Sequence, residues 1–215
     1  MAKERPAGRG FFITFEGGDG AGKTTQIKLL SEYFRSAGQT AIVTREPGGT
    51  PVGESIRALL LDPSSAMLPR TEALLYLAAR AEHVERVIKP ALAVGSHVLC
   101  DRFSDSTHVY QGIARGLDAG ALLRLDAWAA DGLTPDITFL LDAPPECLSG
   151  RRRKRGGPDR MEEEGLTFQR AVRAGFLSLA AQNTNRILVI DARQSIDKIQ
   201  TAVRFHIKDK FPESK

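Results

Sequence analysis

The sequence predicts a three-layer α/β/α fold, with a five-stranded parallel sheet flanked by helices. Three observations predict it. Short runs rich in Ile, Val, Leu or Phe recur at residues 11–16, 40–45, 97–101, 136–142 and 186–191. Long helix-patterned segments separate them, and strands that alternate with helices pack in parallel with both faces covered. The first run leads directly into a glycine-rich turn and then a helical pattern, Gly17-Gly18-Asp19-Gly20-Ala21-Gly22-Lys23-Thr24 followed by residues 25–34. The expected organisation is a mobile polar tail over residues 1–10 and a single domain over 11–215.

The glycine-rich turn matches G-x-x-x-x-G-K-[ST] in the strand–loop–helix context that gives the motif meaning. Glycines let successive backbone N–H groups turn inward where a Cβ would block them, and the helix N-terminus adds partial positive charge. The motif, a P-loop, places residues 17–24 around phosphates. Lys23 is expected to reach the β- and γ-phosphates and Thr24 to offer its hydroxyl to Mg²⁺. The competing reading is a turn that binds nothing.

Composition narrows the class. Hydrophobic content of 42% and charged content of 26% are those of an ordinary globular protein. A formal charge of +4 suits anionic ligands and is too small to demand nucleic acid. The apolar stretch after the N-terminus is interrupted by Glu16, so no signal-peptide core or membrane span is expected. Cys100 and Cys147 lack metal-ligand spacing, and two cysteines suit a reducing, cytoplasmic compartment.

Several predicted strands end in a charge: Glu16, Arg45, Asp101, Asp142 and Asp191. Ligands of open α/β sheets bind at the strands' carboxyl ends, so these are crevice residues or solvated termini. The second strand enters Thr44-Arg45-Glu46-Pro47-Gly48-Gly49-Thr50, a tight loop, and Arg57 lies on the helix after it, facing an anion or solvent. Residues 70–94 read as one long helix with Pro90 near its end. On it Tyr76 and Arg80 share a face, as a stacking pair for a base or as a core Tyr with a surface Arg. Glu82 and Arg86 read as a surface pair. Asp101 ends an apolar strand, where P-loop proteins carry an acid that supports Mg²⁺, and Arg102 beside it would lie near the phosphates. A polar helix start follows, expected to stop at Gly112, with His108 on the surface.

Residues 151–160 hold six basic residues against one acidic, closed by Gly156-Gly157-Pro158. The readings are a lid over about 151–163 that carries arginines onto phosphates, a nucleic-acid patch, or a solvated loop balanced by Glu162-Glu163-Glu164. The patch has no interleaved aromatic residues for base stacking, which favours the lid. After the last strand, Arg193 could flank a nucleotide base, and Ser195 is a reasonable N-cap for a closing helix.

Taken together, these pieces resemble the bacterial thymidylate (dTMP) kinases within the P-loop nucleoside monophosphate kinases. The resemblance runs from Phe12 to about the last helix. It is carried by residues 16–24, the Arg45-Glu46-Pro47-Gly48-Gly49 loop, Ala78-Ala79-Arg80, Asp101-Arg102-Phe103, Tyr110-Gln111-Gly112, and the 151–162 segment with Asp159-Arg160-Met161-Glu162. It implies that Gly17, Gly18, Asp19, Gly20, Ala21, Gly22, Lys23, Thr24 and Arg193 hold ATP, and that Thr24 and Asp101 serve Mg²⁺. Asp19 would face the acceptor's sugar, and Arg57 and Arg102 would hold its phosphate. Tyr76, often Phe in the family, would stack on thymine, and Arg80 would donate to a thymine carbonyl. Thr107 and Gln111 would contact the base, Tyr110 would pack beside C2′, and Glu46 and Pro47 would complete the acceptor site. One branch of the family uses an arginine inside the P-loop. Here Asp19, Gly20 and Ala21 occupy that region, so Arg151, Arg153 and Arg155 would act with Lys23 and Arg102 in transfer.

The implied reaction is phosphorylation of dTMP to dTDP by MgATP, in a homodimer with no nucleic-acid or membrane partner. The alternatives are a related kinase for another nucleoside monophosphate or small acceptor, and, in a different class, a nucleotide-dependent nucleic-acid-binding protein.

Overall fold

A computed structural model describes residues 8–152, 160 and 164–211, with only the backbone for 149–152. The strands are β1 Phe12–Glu16, β2 Ala41–Arg45, β3 His97–Asp101, β4 Ile137–Asp142 and β5 Ile187–Asp191. All five expected strands form, and each lies within one residue of its expected ends. They make one parallel sheet in the order β2-β3-β1-β4-β5.

β1 lies at the centre and is buried along its whole length. Successive side chains point to opposite faces of a sheet, which divides the core. Ile13 and Phe15 point to the face covered by α1 (Lys23–Ser36) and α9 (Ile196–Lys210), against Ile27, Leu30, Phe34, Ile199, Val203 and Ile207. Phe12 points the other way, toward Val84, Ile88 and Leu92. Ser195 caps α9 as expected, accepting from Lys198 N at 3.3 Å.

The remaining helices are α2 Pro51–Leu61, α3 Pro69–His83, α4 Lys89–Ala93, α5 Ser104–Thr107, α6 Ala119–Ala129, α7 Pro145–Arg152 and α8 Gly165–Gln182. The long helix expected over 70–94 is continuous but not uniformly α. A π-helical stretch, Val84–Ile88, separates α3 from α4. Pro90 lacks an N–H and would press on a carbonyl one α-turn back, and the wider turn just before it relieves that conflict. Gly112 does not end the helix that begins with α5. A π-helical stretch, His108–Ala114, carries it on, and Gly116 terminates it at φ +73°, a left-handed geometry that favours glycine.

Of the residues expected in a mobile tail over 1–10, 1–7 lie outside the described residues, and Arg9 and Gly10 are held in place. Arg9 Nη1 pairs with Asp136 at 3.0 Å, and Gly10 N donates to Leu92 O at 3.0 Å.

Candidate active site

The carboxyl ends of β1, β2 and β3 open on one cavity of about 380 Å³. Parallel register brings them together: Asp101 lies opposite Phe15 of β1 on one side and Arg45 of β2 on the other. The crossovers from the neighbouring strands β1 and β3 run in opposite directions, β1 to β2 and β3 to β4, and open α/β sheets usually bind ligands at such a point.

The P-loop leaves β1 at Gly17, whose φ is +126°, and a Cβ there would lie 2.3 Å from Leu141 O. Only glycine can pass so close to β4. Gly22 precedes α1 at φ +97°. Lys23 is buried, and its Nζ donates to Gly17 O at 3.1 Å and Gly18 O at 3.2 Å and lies 3.9 Å from carboxylate oxygens of Asp19 and Asp101. Burial, then the nearby Arg102, push its ammonium pKa down, while Asp101, Asp19 and Glu16 pull it up. Thr24 Oγ1 donates to Asp101 Oδ2 at 3.1 Å.

Arg102 turns on a left-handed backbone, φ +71°, which is rare for a side chain with a Cβ. That turn aims its guanidinium back over the loop. Nη2 donates to Asp19 Oδ1 at 2.8 Å, Nη1 donates to Ser106 Oγ at 3.0 Å, and the group lies 5.1 Å from the Tyr110 ring centroid. Burial works against its charge, but Tyr110, Asp19 and Glu16 outweigh burial and keep it cationic.

The other end of the cavity is built on α3. Arg80 is fully buried: Nε donates to Glu46 Oε2 at 2.8 Å, Nη2 donates to Thr107 Oγ1 at 3.0 Å, and Nη1 pairs with Asp126. The alternative of a surface Arg80 is therefore excluded. Tyr76 lies one turn earlier and lines the cavity, half-buried. Arg57 donates from Nη1 to Pro47 O at 3.0 Å. Asp19, Glu46, Pro47, Arg57, Tyr76, Arg80, Arg102, Thr107, Tyr110 and Gln111, every residue expected at the acceptor site, line this one cavity with Lys23, Thr24 and Asp101.

The thymidylate kinase family model matches residues 15–203, from the end of β1 through about half of α9. The chain belongs to the thymidylate kinase family. It is 50% identical over 210 residues to a thymidylate kinase of Geobacter sulfurreducens, covering 94% of this chain and 99% of that one. A thymidylate kinase of Deinococcus radiodurans is 48% identical over 195 residues, with 91% and 95% covered. A crystal structure of the thymidylate kinase from Ehrlichia chaffeensis superposes with a TM-score of 0.77 at 34% identity, covering 93% of this chain and 99% of that one. The three-layer fold is that of the family.

Against the thymidylate kinase pattern, some expectations fall elsewhere. Arg193 is not among the cavity residues. It grips Asp191 at the end of β5 through Nε and Nη2, both at 2.8 Å. Arg151 falls in the last turn of α7, and Arg153 and Arg155 lie outside the described residues. His108 is not simply surface: it is four-fifths buried, with Nε2 3.1 Å from Asp126 Oδ2. Glu82 near the end of α3 and Arg86 in the π-helical stretch after it do pair at the surface.

Sequence reasoning missed the layer of residues behind the cavity. Glu16 is neither a crevice residue nor a solvated terminus. It is 1% exposed and accepts from Phe103 N at 2.8 Å and Ser106 Oγ at 2.6 Å. Burial and the Asp105 carboxylate, partly offset by Arg102, raise its pKa to about 7. His83, fully buried, bridges Thr44 Oγ1 at 2.6 Å and Glu46 Oε1 at 3.0 Å. Glu72 and Asp126 were also unmarked. For Glu72 a signal existed: Glu72, Tyr76 and Arg80 recur every four residues, which is one helix face.

Proposed function

We propose that this chain transfers the γ-phosphoryl group of MgATP to the 5′-phosphate of dTMP, giving dTDP and ADP. The observation that carries this reading is one cavity lined both by the P-loop residues Asp19, Lys23 and Thr24 and by Tyr76, Arg80, Thr107 and Gln111. A phosphate monoester is already largely dianionic near neutral pH, since its second pKa is about 6. No general base is needed. The difficulty is bringing two anions together, so positioning and fixed positive charge do the catalysis. Lys23 holds the β- and γ-phosphates on the P-loop. Arg102 and Arg57 hold the acceptor phosphate, and Asp19 orients the sugar. Tyr76 stacks on the base, Arg80 donates to its carbonyl edge, and Thr107 and Gln111 complete the base site. Tyr110 fills the space a ribose 2′-hydroxyl would need.

Thr24 and Asp101 fit a magnesium ion. Their hydroxyl and carboxylate oxygens lie 3.1 Å apart beside the loop, and hard oxygen donors of this kind suit a cation that keeps several waters. When bound, Mg²⁺ neutralises charge on the transferring phosphate. Arg151, Arg153 and Arg155 are assigned to a lid over about 151–163 that completes the positive ring and excludes water.

The working unit is assigned as a homodimer. Val52 and Leu59 on α2, Leu74 on α3, and Leu125 and Trp128 on α6 are exposed apolar side chains on α3 and the two helices packed against it. A cytoplasmic location accords with two free cysteines and with the finding that no described helix is long and apolar enough to cross a membrane. The deciding experiment is a coupled ADP-release assay over a panel of nucleoside monophosphates. The expected result is a strong preference for dTMP, with dUMP a poorer acceptor because a methyl group is worth about 1–3 kcal/mol. Preference for dAMP, dCMP or dGMP would overturn the reading.

A further inference from the structure

Glu72 lies one turn behind Tyr76 on α3 and is 1% exposed. It does not line the cavity, yet it holds a residue that does. Gln111 Nε2 donates to Glu72 Oε1 at 2.8 Å. Arg115 donates to the same carboxylate from Nε at 3.3 Å and Nη2 at 3.2 Å, and Arg160 Nη2 lies 2.6 Å from Oε2. Burial alone would raise the Glu72 pKa, but the Gln111, Arg160 and Arg115 contacts outweigh it and hold the carboxyl below its ordinary value.

An amide has a donor end and an acceptor end of nearly equal shape, whereas an ionised carboxylate only accepts. A carboxylate behind a glutamine therefore decides which end faces forward. Here the NH₂ group is turned back to Glu72. The carbonyl oxygen of Gln111 has no hydrogen-bond partner among the described residues. Arg80, a donor only, lines the same cavity and reaches Thr107 Oγ1, one helical turn before Gln111, at 3.0 Å. A donor next to an acceptor complements a pyrimidine that carries a carbonyl next to a ring N–H. It opposes cytosine, which shows an amino group and a ring lone pair at those places.

We propose that Glu72 is a positioning residue that locks the Gln111 amide with its carbonyl oxygen toward the acceptor base, so that the site accepts thymine and rejects cytosine. This rests on the acceptor-site reading above. The test compares kcat/KM for dTMP and dCMP in wild type, Glu72→Gln, Glu72→Asp and Arg115→Gln, with melting temperature measured for each. Glu72→Gln can both donate and accept, and Glu72→Asp keeps the charge for the arginines but withdraws from Gln111. In either, the dTMP/dCMP ratio should fall about tenfold or more, since a site that pairs with a hydrogen-bonding group rejects its mismatch strongly. The change should appear mainly in KM for dTMP, with KM for ATP unmoved. Arg115→Gln breaks an ion pair of Glu72 but leaves Gln111 held, so it should lower the melting temperature without moving the ratio. An unchanged ratio in whichever Glu72 variant folds, or an equal shift in Arg115→Gln, overturns the proposal. A wild-type enzyme with no preference for dTMP would instead overturn the acceptor-site reading.

Discussion

Arg102 Nη2 donates to Asp19 Oδ1 at 2.8 Å, joining the exit of β3 to the P-loop after β1. Under the proposed function, the bond spans the place where donor and acceptor phosphates meet. It holds the guanidinium where an incoming phosphate can share it, so little reorganisation is needed at the moment of transfer.

Removing either fixed cation should therefore cost rate and not fold. Lys23→Ala and Arg102→Ala are each expected to lower kcat by about 10³-fold or more, the scale of a guanidinium that stabilises phosphoryl transfer. Circular dichroism should stay native in both. Wild-type turnover in either variant would remove these residues from the mechanism.

Glu16 gives a pH signature. Its pKa rises from 4.5 to about 7 on folding, so between those values the folded chain binds more protons than the unfolded one. Stability must fall as pH rises through that window. Glu16→Gln removes the titration. Relative to wild type, the variant should gain on the order of 3 kcal/mol between pH 4.5 and pH 8 in denaturant unfolding. Parallel stability–pH curves would show that Glu16 does not carry the shift.

How much of this was legible in the sequence follows a physical line. The strands could be read because Ile13, Leu99 and Phe139 lie in apolar runs buried on both faces. The P-loop could be read because phosphate binding constrains neighbouring residues, so its signature is contiguous. Glu72, His83 and Asp126 were not read because their roles come from partners distant in sequence: Gln111 and Arg115, Thr44 and Glu46, Arg80. The π-helical stretches were likewise hidden, since the pattern of apolar residues hardly changes when one turn widens.

The buried Arg80 network predicts a stability defect separable from base recognition. Arg80 neutralises Glu46 and Asp126, and Arg80, with His108, outweighs burial to lower the Asp126 pKa from 3.8 to about 2. Arg80→Met should destabilise by about 3–5 kcal/mol, because it leaves buried carboxylates unpaired. The Asp126 part of wild-type stability is full above pH 3.8 and is lost as pH falls toward 2. The defect should therefore shrink on acidification. A variant as stable as wild type at pH 7 would contradict the pairing.

The last prediction concerns Trp128, which is 80% exposed on α6. An indole can bury about 150–250 Å² in an interface, worth roughly 4–6 kcal/mol at 25 cal/mol per Å² before binding costs. Placing a charge there reverses the sign, because the carboxylate must be desolvated. Trp128→Glu should thus convert a dimer to a monomer in sedimentation velocity, while wild type sediments as the dimer. The effect should reach the active site through α3, which packs against α6 and carries Tyr76 and Arg80 toward the cavity. KM for dTMP should rise more than KM for ATP, since the P-loop and α1 stand apart from that helix pair. A monomeric wild type would remove the dimer, and equal changes in both KM values would remove the route through α3.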